Sequence, residues 1–121
     1  MVKFEKTCEI SIKKSKFLGF LLNCKNVEEI NLALSELKKE HKKATHICYA
    51  YSLKVPFSEK ACDDGEPSGT AGRPILNVIQ KRKLQDVCIF VVRYFGGVKL
   101  GAGGLVRAYT KASSELLQEM E

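Results

Sequence analysis

The sequence predicts an α+β fold: a single mixed sheet of about four strands, with two to three helices packed mainly on one face, in the order β-β-α-β-α-β-α. Three observations lead there. Two closely spaced runs near the amino end read as paired strands, three stretches carry helical periodicity, and a continuous apolar run near the carboxyl end reads as a strand buried on both faces.

From Lys3 to Ile12, Phe4, Cys8, Ile10 and Ile12 share one parity while Glu5, Thr7, Glu9 and Ser11 take the other, the alternation of a half-buried strand. Phe17 to Cys24 is densely apolar, and the short link Lys13-Lys14-Ser15 joins the two runs as an antiparallel hairpin. Asn26 can cap the next segment, with Glu29 at capping-box spacing. Ile30, Ala33, Leu34 and Leu37 share one face, and Lys38, Lys39, Lys42 and Lys43 suit the negative pole, so a helix is expected over Val27–His41. In His46–Leu53, Ile47, Tyr49, Tyr51 and Leu53 alternate with the smaller His46, Cys48, Ala50 and Ser52, which leaves one face open to something laid across it. Pro56 to Arg73, roughly 17 residues without periodicity, reads as a long loop. Pro74 suits the first position of a short helix with Ile75, Leu76, Val78 and Ile79 on its apolar face. Asp86–Phe95 is the doubly buried strand. The last helix is expected over Gly104–Met120, with Leu105, Ala108, Tyr109, Ala112 and Leu116 inward.

A chain of 121 residues forms one domain whose core can cover about two thirds of its unfolded surface, so neither metal nor disulfide is needed to hold it. The net charge of +6 favours acidic partners such as RNA, DNA or anionic metabolites. The 5 cysteines are widely spaced, without CxxC or Cys/His ligand spacing, and read as buried thiols in a reducing compartment. The amino end lacks the apolar centre of a signal peptide, and no run reaches the ~18 apolar residues of a membrane span. The expectation is a soluble cytoplasmic protein that uses no cofactor or metal and touches no membrane.

Chemistry concentrates in the stretch from Arg93 to Tyr109, RYFGGVKLGAGGLVRAY, where Gly96, Gly97, Gly101, Gly103 and Gly104 leave the backbone bare beside Arg93, Lys99 and Arg107. A helix start carries orphan N–H groups and partial positive charge, so a cation there calls for an anion. Gly96 to Arg107, with the N–H groups of Gly103 and Gly104, is therefore expected to cradle an anion, phosphate above all. Ser68 to Pro74 is a second loop of small residues feeding a helix start. Its Arg73 either converges with Arg107 on one anion or ties down Asp63, Asp64 or Glu66. No P-loop or dinucleotide fingerprint is present. Asp63, Asp64 and Glu66 with His46 form the one catalytic candidate, through a divalent cation or acid–base work; turn formation is the competing use of these residues. Tyr49, Tyr51, Tyr94 and Phe95 offer stacking surfaces to a nucleic acid, with core packing the competing role for Tyr49 and Tyr51.

Three long motifs carry a resemblance: HICYAY from His46 to Tyr51, DDGEPSGTAGRPIL from Asp63 to Leu76, and VVRYFGGVKLGAGGLVRAY from Val91 to Tyr109. With KKSKF from Lys13 to Phe17, they resemble the amino-terminal domain of the IMPACT/YigZ family over nearly the whole chain. The resemblance implies a ribosomal-protein-S5-domain-2-like fold, shared with a domain of translational elongation factors and with small-molecule kinases. It implies translational control for eukaryotic relatives, which antagonise activation of the initiation-factor kinase that answers amino-acid starvation. For bacterial relatives it implies suspected nucleic-acid binding, and a peptidase label in some. Bacterial relatives usually add a ferredoxin-like domain after the last helix and eukaryotic ones a different domain ahead, so residues 1–121 are expected to hold the motif-bearing domain alone.

The reading that results is a protein of translation regulation that binds a phosphate-bearing partner, RNA or a ribosomal component, through Arg73, Arg93, Lys99, Gly103, Gly104 and Arg107. A phosphate-bearing small molecule is a second ligand class. The competing readings are a small phosphate-ester or peptide hydrolase using His46, Asp63, Asp64 and Glu66, and a protein-interaction module.

Overall fold

A computed structural model describes residues 2–118. Among them run β1 (Lys6–Ile12), β2 (Ser15–Asn23), α1 (Val27–Glu40), β3 (His46–Leu53), β4 (Ser58–Cys62), α2 (Gly72–Lys81), β5 (Val87–Tyr94) and α3 (Gly101–Leu117). The expected start at Gly104 moves three residues earlier, and the expected end at Met120 lies outside the described residues.

Local chemistry sets these boundaries. β1 and β2 pair in register Ile12↔Ser15, and the two turn residues Lys13 and Lys14 take φ of 47° and 70°, the positive pair of a tight hairpin turn. Asn26 accepts the Glu29 N–H at 2.9 Å, and the Glu29 carboxylate reaches back to the Lys25 N–H at 2.7 Å, so α1 opens on a reciprocal cap. Pro74 falls third in α2, still within the turn whose N–H groups have no intrahelical acceptor.

The α+β class stands, and two details of the sheet differ. It has five strands in the order β1-β2-β5-β3-β4, and every pairing is antiparallel rather than mixed. The extra strand is β4, half-exposed at the sheet edge inside what read as a loop. The helical crossover through α1 does make β2 and β3 parallel, but β5 slots between them antiparallel to both.

Cores form on both faces. Val87, Ile89 and Val91 of β5 pack with Cys48 and Ala50 under α2 and α3, so α2 occupies the small-residue face of β3. Cys88, Phe90 and Val92 pack with Ile47, Tyr49 and Tyr51 under Ile30, Ala33 and Leu37 of α1. Two helices share one face and the third covers the other. Connectivity then gathers at one end of the sheet the β1–β2 turn, the exit of β5, the entry of β3, the carboxyl end of α1 and the starts of α2 and α3.

Candidate functional site

Arg93, the penultimate residue of β5, is 5% exposed and must therefore be paired. Its Nη1 donates to Glu66 Oε2 at 2.8 Å and Oε1 at 3.1 Å, and its Nη2 donates to Ser15 Oγ at 3.2 Å. Ser15 Oγ also accepts the Gly96 N–H at 3.3 Å. Tyr109 of α3 donates its hydroxyl to Glu66 Oε2 at 2.5 Å, and the Cys48 thiol lies 3.4 Å from the Tyr109 oxygen while donating to the Asp63 carbonyl at 3.0 Å. Burial, with Cys48 and Glu66 adding to it, raises the Tyr109 phenol far above its usual range, so it remains a donor; burial likewise raises the Cys48 thiol. The guanidinium carbon lies 5.5 Å from the Phe17 ring centre and 5.4 Å from that of Phe95. The Arg93 Nε is buried without an acceptor among the described residues.

The other carboxylates of the expected catalytic constellation point elsewhere. Asp63 accepts three backbone N–H groups at the start of α2, from Gly69 at 2.9 Å, Ala71 at 3.1 Å and Gly72 at 2.8 Å. Burial tends to raise its pKa, but the three donors together outweigh burial and hold it below the usual carboxylate value. Asp64 Oδ2 accepts the Ile47 N–H at 2.7 Å, and its carbonyl takes His46 Nδ1 at 2.7 Å, which fixes the hydrogen on that nitrogen. His46 Nε2 stands 3.5 Å from Glu66 Oε1. The acids that read as one cluster are thus spent on separate ties. Among the described residues no group of three or more His, Cys, Asp or Glu is placed to hold a metal ion.

The two helix starts also differ from the expected shared cradle. The α2 start is already answered by Asp63, and Arg73 is exposed on its flank, pairing with none of Asp63, Asp64 and Glu66 among the described residues. The α3 start has Leu100 as cap residue, no side-chain cap and no acid in its first turn. It borders a cleft of about 410 Å³ whose walls include His46, Glu66, Arg93, Phe95, Lys99 and Gly101. Gly103 and Gly104 lie one step further into the first turn, and Gly104 and Arg107 line a neighbouring hollow of about 240 Å³ with Lys13 and Lys111. Leu100 borders both hollows. The structure thus brings His46, Glu66, Arg93 and Lys99 together, puts Arg107 next door, and leaves Arg73 apart.

Two glycines are required by this layout. A Cβ on Gly96 would collide with the Lys14 carbonyl, where the exit of β5 passes the hairpin turn, and Gly101 begins α3 at φ +74°. Among the aromatic candidates, Tyr49 and Tyr51 are core residues and Tyr94 bonds His41 at 2.6 Å, which leaves Phe95, 46% exposed. Its backbone N–H is fixed on Thr45 Oγ1 at 2.9 Å. Sequence reasoning missed Ser15 and the Tyr109 hydroxyl as members of the network. The signal for Tyr109 was an inward helical position, since a buried phenol has to find a partner. Lys99 of the cleft is exposed, as are Lys13, Lys14 and Lys16 at the hairpin turn, Lys38, Lys39, Lys42 and Lys43 at and after the end of α1, and Arg107 of the neighbouring hollow. No helix among the described residues is long and apolar enough to cross a membrane.

Residues 13–117 match the model of the Impact N-terminal domain. The chain is 50% identical over 113 residues to IMPACT family member YvyE of Bacillus subtilis (strain 168), covering 93% of this chain and 52% of that protein. It is 37% identical over 112 residues to IMPACT family member YigZ of Escherichia coli (strain K12), covering 90% of this chain and 55% of that protein. The chain spans about half the length of these curated relatives. A crystal structure described as that of a hypothetical protein superposes with a TM-score of 0.91 at 34% identity, over 98% of this chain and 59% of the other. The two-domain translational regulator Yih1 shares the fold at a TM-score of 0.64 and 24% identity, over 98% of this chain and 48% of the other.

Proposed function

This chain belongs to the IMPACT family, and on that premise we propose that it binds a phosphate-bearing partner, RNA or a ribosomal component, in the regulation of translation. The regulatory setting is suggested by Yih1, a protein of the same fold described as a translational regulator. The binding chemistry is argued from this chain. The observation that carries it is an imbalance of charge at one end of the sheet. Glu66 is neutralised there by Arg93, and Asp63 and Asp64, bonded to backbone N–H groups, are outnumbered by the lysines of the hairpin turn, of the α1 terminus and of the cleft, which face solvent. Such a field concentrates polyanions and accelerates their encounter. Lys99 and Arg107 supply charge from adjacent hollows, and the first turn of α3, including Gly103 and Gly104, supplies main-chain N–H groups. Arg93 holds the floor, and Arg73 adds to the general field.

The test is fluorescence anisotropy with labelled single-stranded RNA and with purified ribosomal subunits across a salt series. Log affinity for single-stranded RNA should fall with log salt by about 0.7 per phosphate contacted, and Lys42→Ala with Lys43→Ala should flatten that slope. Absence of binding to RNA and subunits alike at low salt would overturn the proposal.

A further inference from the structure

The cleft beside the α3 start is more than a patch of positive potential, because its walls are of two kinds. Phe95, Leu100, Leu105 and Pro67 give it apolar surface, and Lys99 with the uncapped start of α3 at Gly101 and Ala102 gives it positive charge and free N–H groups. A phosphate alone would use only the second kind. At about 410 Å³ the cleft falls within the ~300–1,000 Å³ of small-ligand sites. Phe95 is the one strongly exposed aromatic residue on its wall, and it is not loose. The Arg93 guanidinium lies over it in a cation–π contact at 5.4 Å, Glu66 clamps that guanidinium, and Thr45 fixes its backbone. Arg93, 5% exposed and neutralised by Glu66 at 2.8 Å, also lines the cleft and gives it a rigid floor.

We propose that this cleft takes one unstacked nucleotide, its base laid against Phe95 and the apolar wall and its phosphate held by Lys99 and the first N–H groups of α3. The inference rests on the reading of the chain as a binder of phosphate-bearing partners and names the unit that is recognised. The nucleotide belongs either to an unpaired stretch of RNA or to a free mononucleotide, which share a planar ring beside a phosphate. Glu66 spends its oxygens on Arg93 and Tyr109, so the floor has few free groups to read a base edge. The cleft therefore accepts any base by stacking and shape, with little sequence preference.

The experiment compares Phe95→Ala with Phe95→Tyr, using labelled single-stranded homopolymers of A, U and C, a duplex of mixed sequence, and free AMP and UMP. Phe95 is exposed, so both variants are expected to fold, as circular dichroism would verify. Phe95→Ala should lower single-strand affinity about tenfold to a hundredfold, the range of one lost base–aromatic stack, with duplex binding and the salt slope unchanged. Phe95→Tyr should restore it, and the homopolymers should agree within a few fold. Single-strand affinity untouched by Phe95→Ala, with the salt slope intact, would overturn the nucleotide cleft and leave the electrostatic reading standing. If no RNA binds but AMP and UMP shift the NMR amide signals of Gly101 and Ala102, the RNA reading falls and the cleft is a mononucleotide site. Silence from both RNA and mononucleotides would overturn the two together.

Discussion

Replacing Glu66 by glutamine should remove a large part of the domain's stability while hardly changing its volume. The two side chains of the Glu66–Arg93 pair are 3% and 6% exposed and meet at 2.8 Å, so neither charge has water to fall back on. Glu66→Gln leaves a buried guanidinium without a counter-charge, which costs about 3–5 kcal/mol in comparable buried pairs. Against a total of about 5–15 kcal/mol for a typical domain, that moves the urea midpoint substantially. Arg93→Met should be similarly damaging, since it leaves the carboxylate with the Tyr109 hydroxyl as its nearest strong donor. The double variant Glu66→Leu/Arg93→Met removes both charges and should be clearly more stable than the sum of the single losses predicts. Urea unfolding followed by circular dichroism, with the slope checked for constancy, reads all three. Single losses below about 1 kcal/mol, or strict additivity in the double variant, would refute the reasoning that this pair is a closed, desolvated unit.

Two further outcomes follow from the same geometry. Asp63→Asn should cost about 1–2 kcal/mol at pH 7, because a carboxylate that caps three N–H groups is replaced by a weaker acceptor. Its folded pKa lies below the reference 3.8, so its contribution is complete well above that value and is lost as pH falls through the folded pKa; the gap between the urea midpoints of the two proteins should narrow as pH is lowered below 3.8, and a constant gap would contradict the capping role. Burial pushes the Cys24 thiol up to about 12 and likewise raises those of Cys48 and Cys88 well above the usual thiol value, so at pH 8 a disulfide-exchange reagent should label these three only as the chain opens, and rapid labelling of native Cys48 would contradict its placement.

The elements most legible in the sequence were those whose burial is one- or two-sided in a regular way. β1 and β3 announced themselves by alternation, β2 and β5 by apolar runs, and α1 by its cap. β4 was not legible because an edge strand with SEKAC, partly exposed throughout, offers no apolar parity to detect. The helix starts were legible as glycine-rich transitions, but their occupancy was not. Whether a carboxylate folds back on the N–H groups, as Asp63 does at α2, depends on a turn that propensity does not specify. The same limit hid the role of Glu66. In the string DDGEP it looks like its neighbours, and only the approach of Arg93 from a strand 27 residues away separates it from them. Ser15, fully buried, was concealed as a polar residue in a hairpin link.

The strand at the middle of the sheet is the last of the five to be synthesised. Until residues 87–94 leave the ribosome, the hairpins β1–β2 and β3–β4 share no ladder with one another, because each reaches the other only through β5. The nascent chain therefore carries two open seams until β5 arrives, and the folding rate of this domain should reflect these long-range pairings more than its helical content. A chain cut just before Val87 should yield separate hairpins instead of a smaller version of the domain.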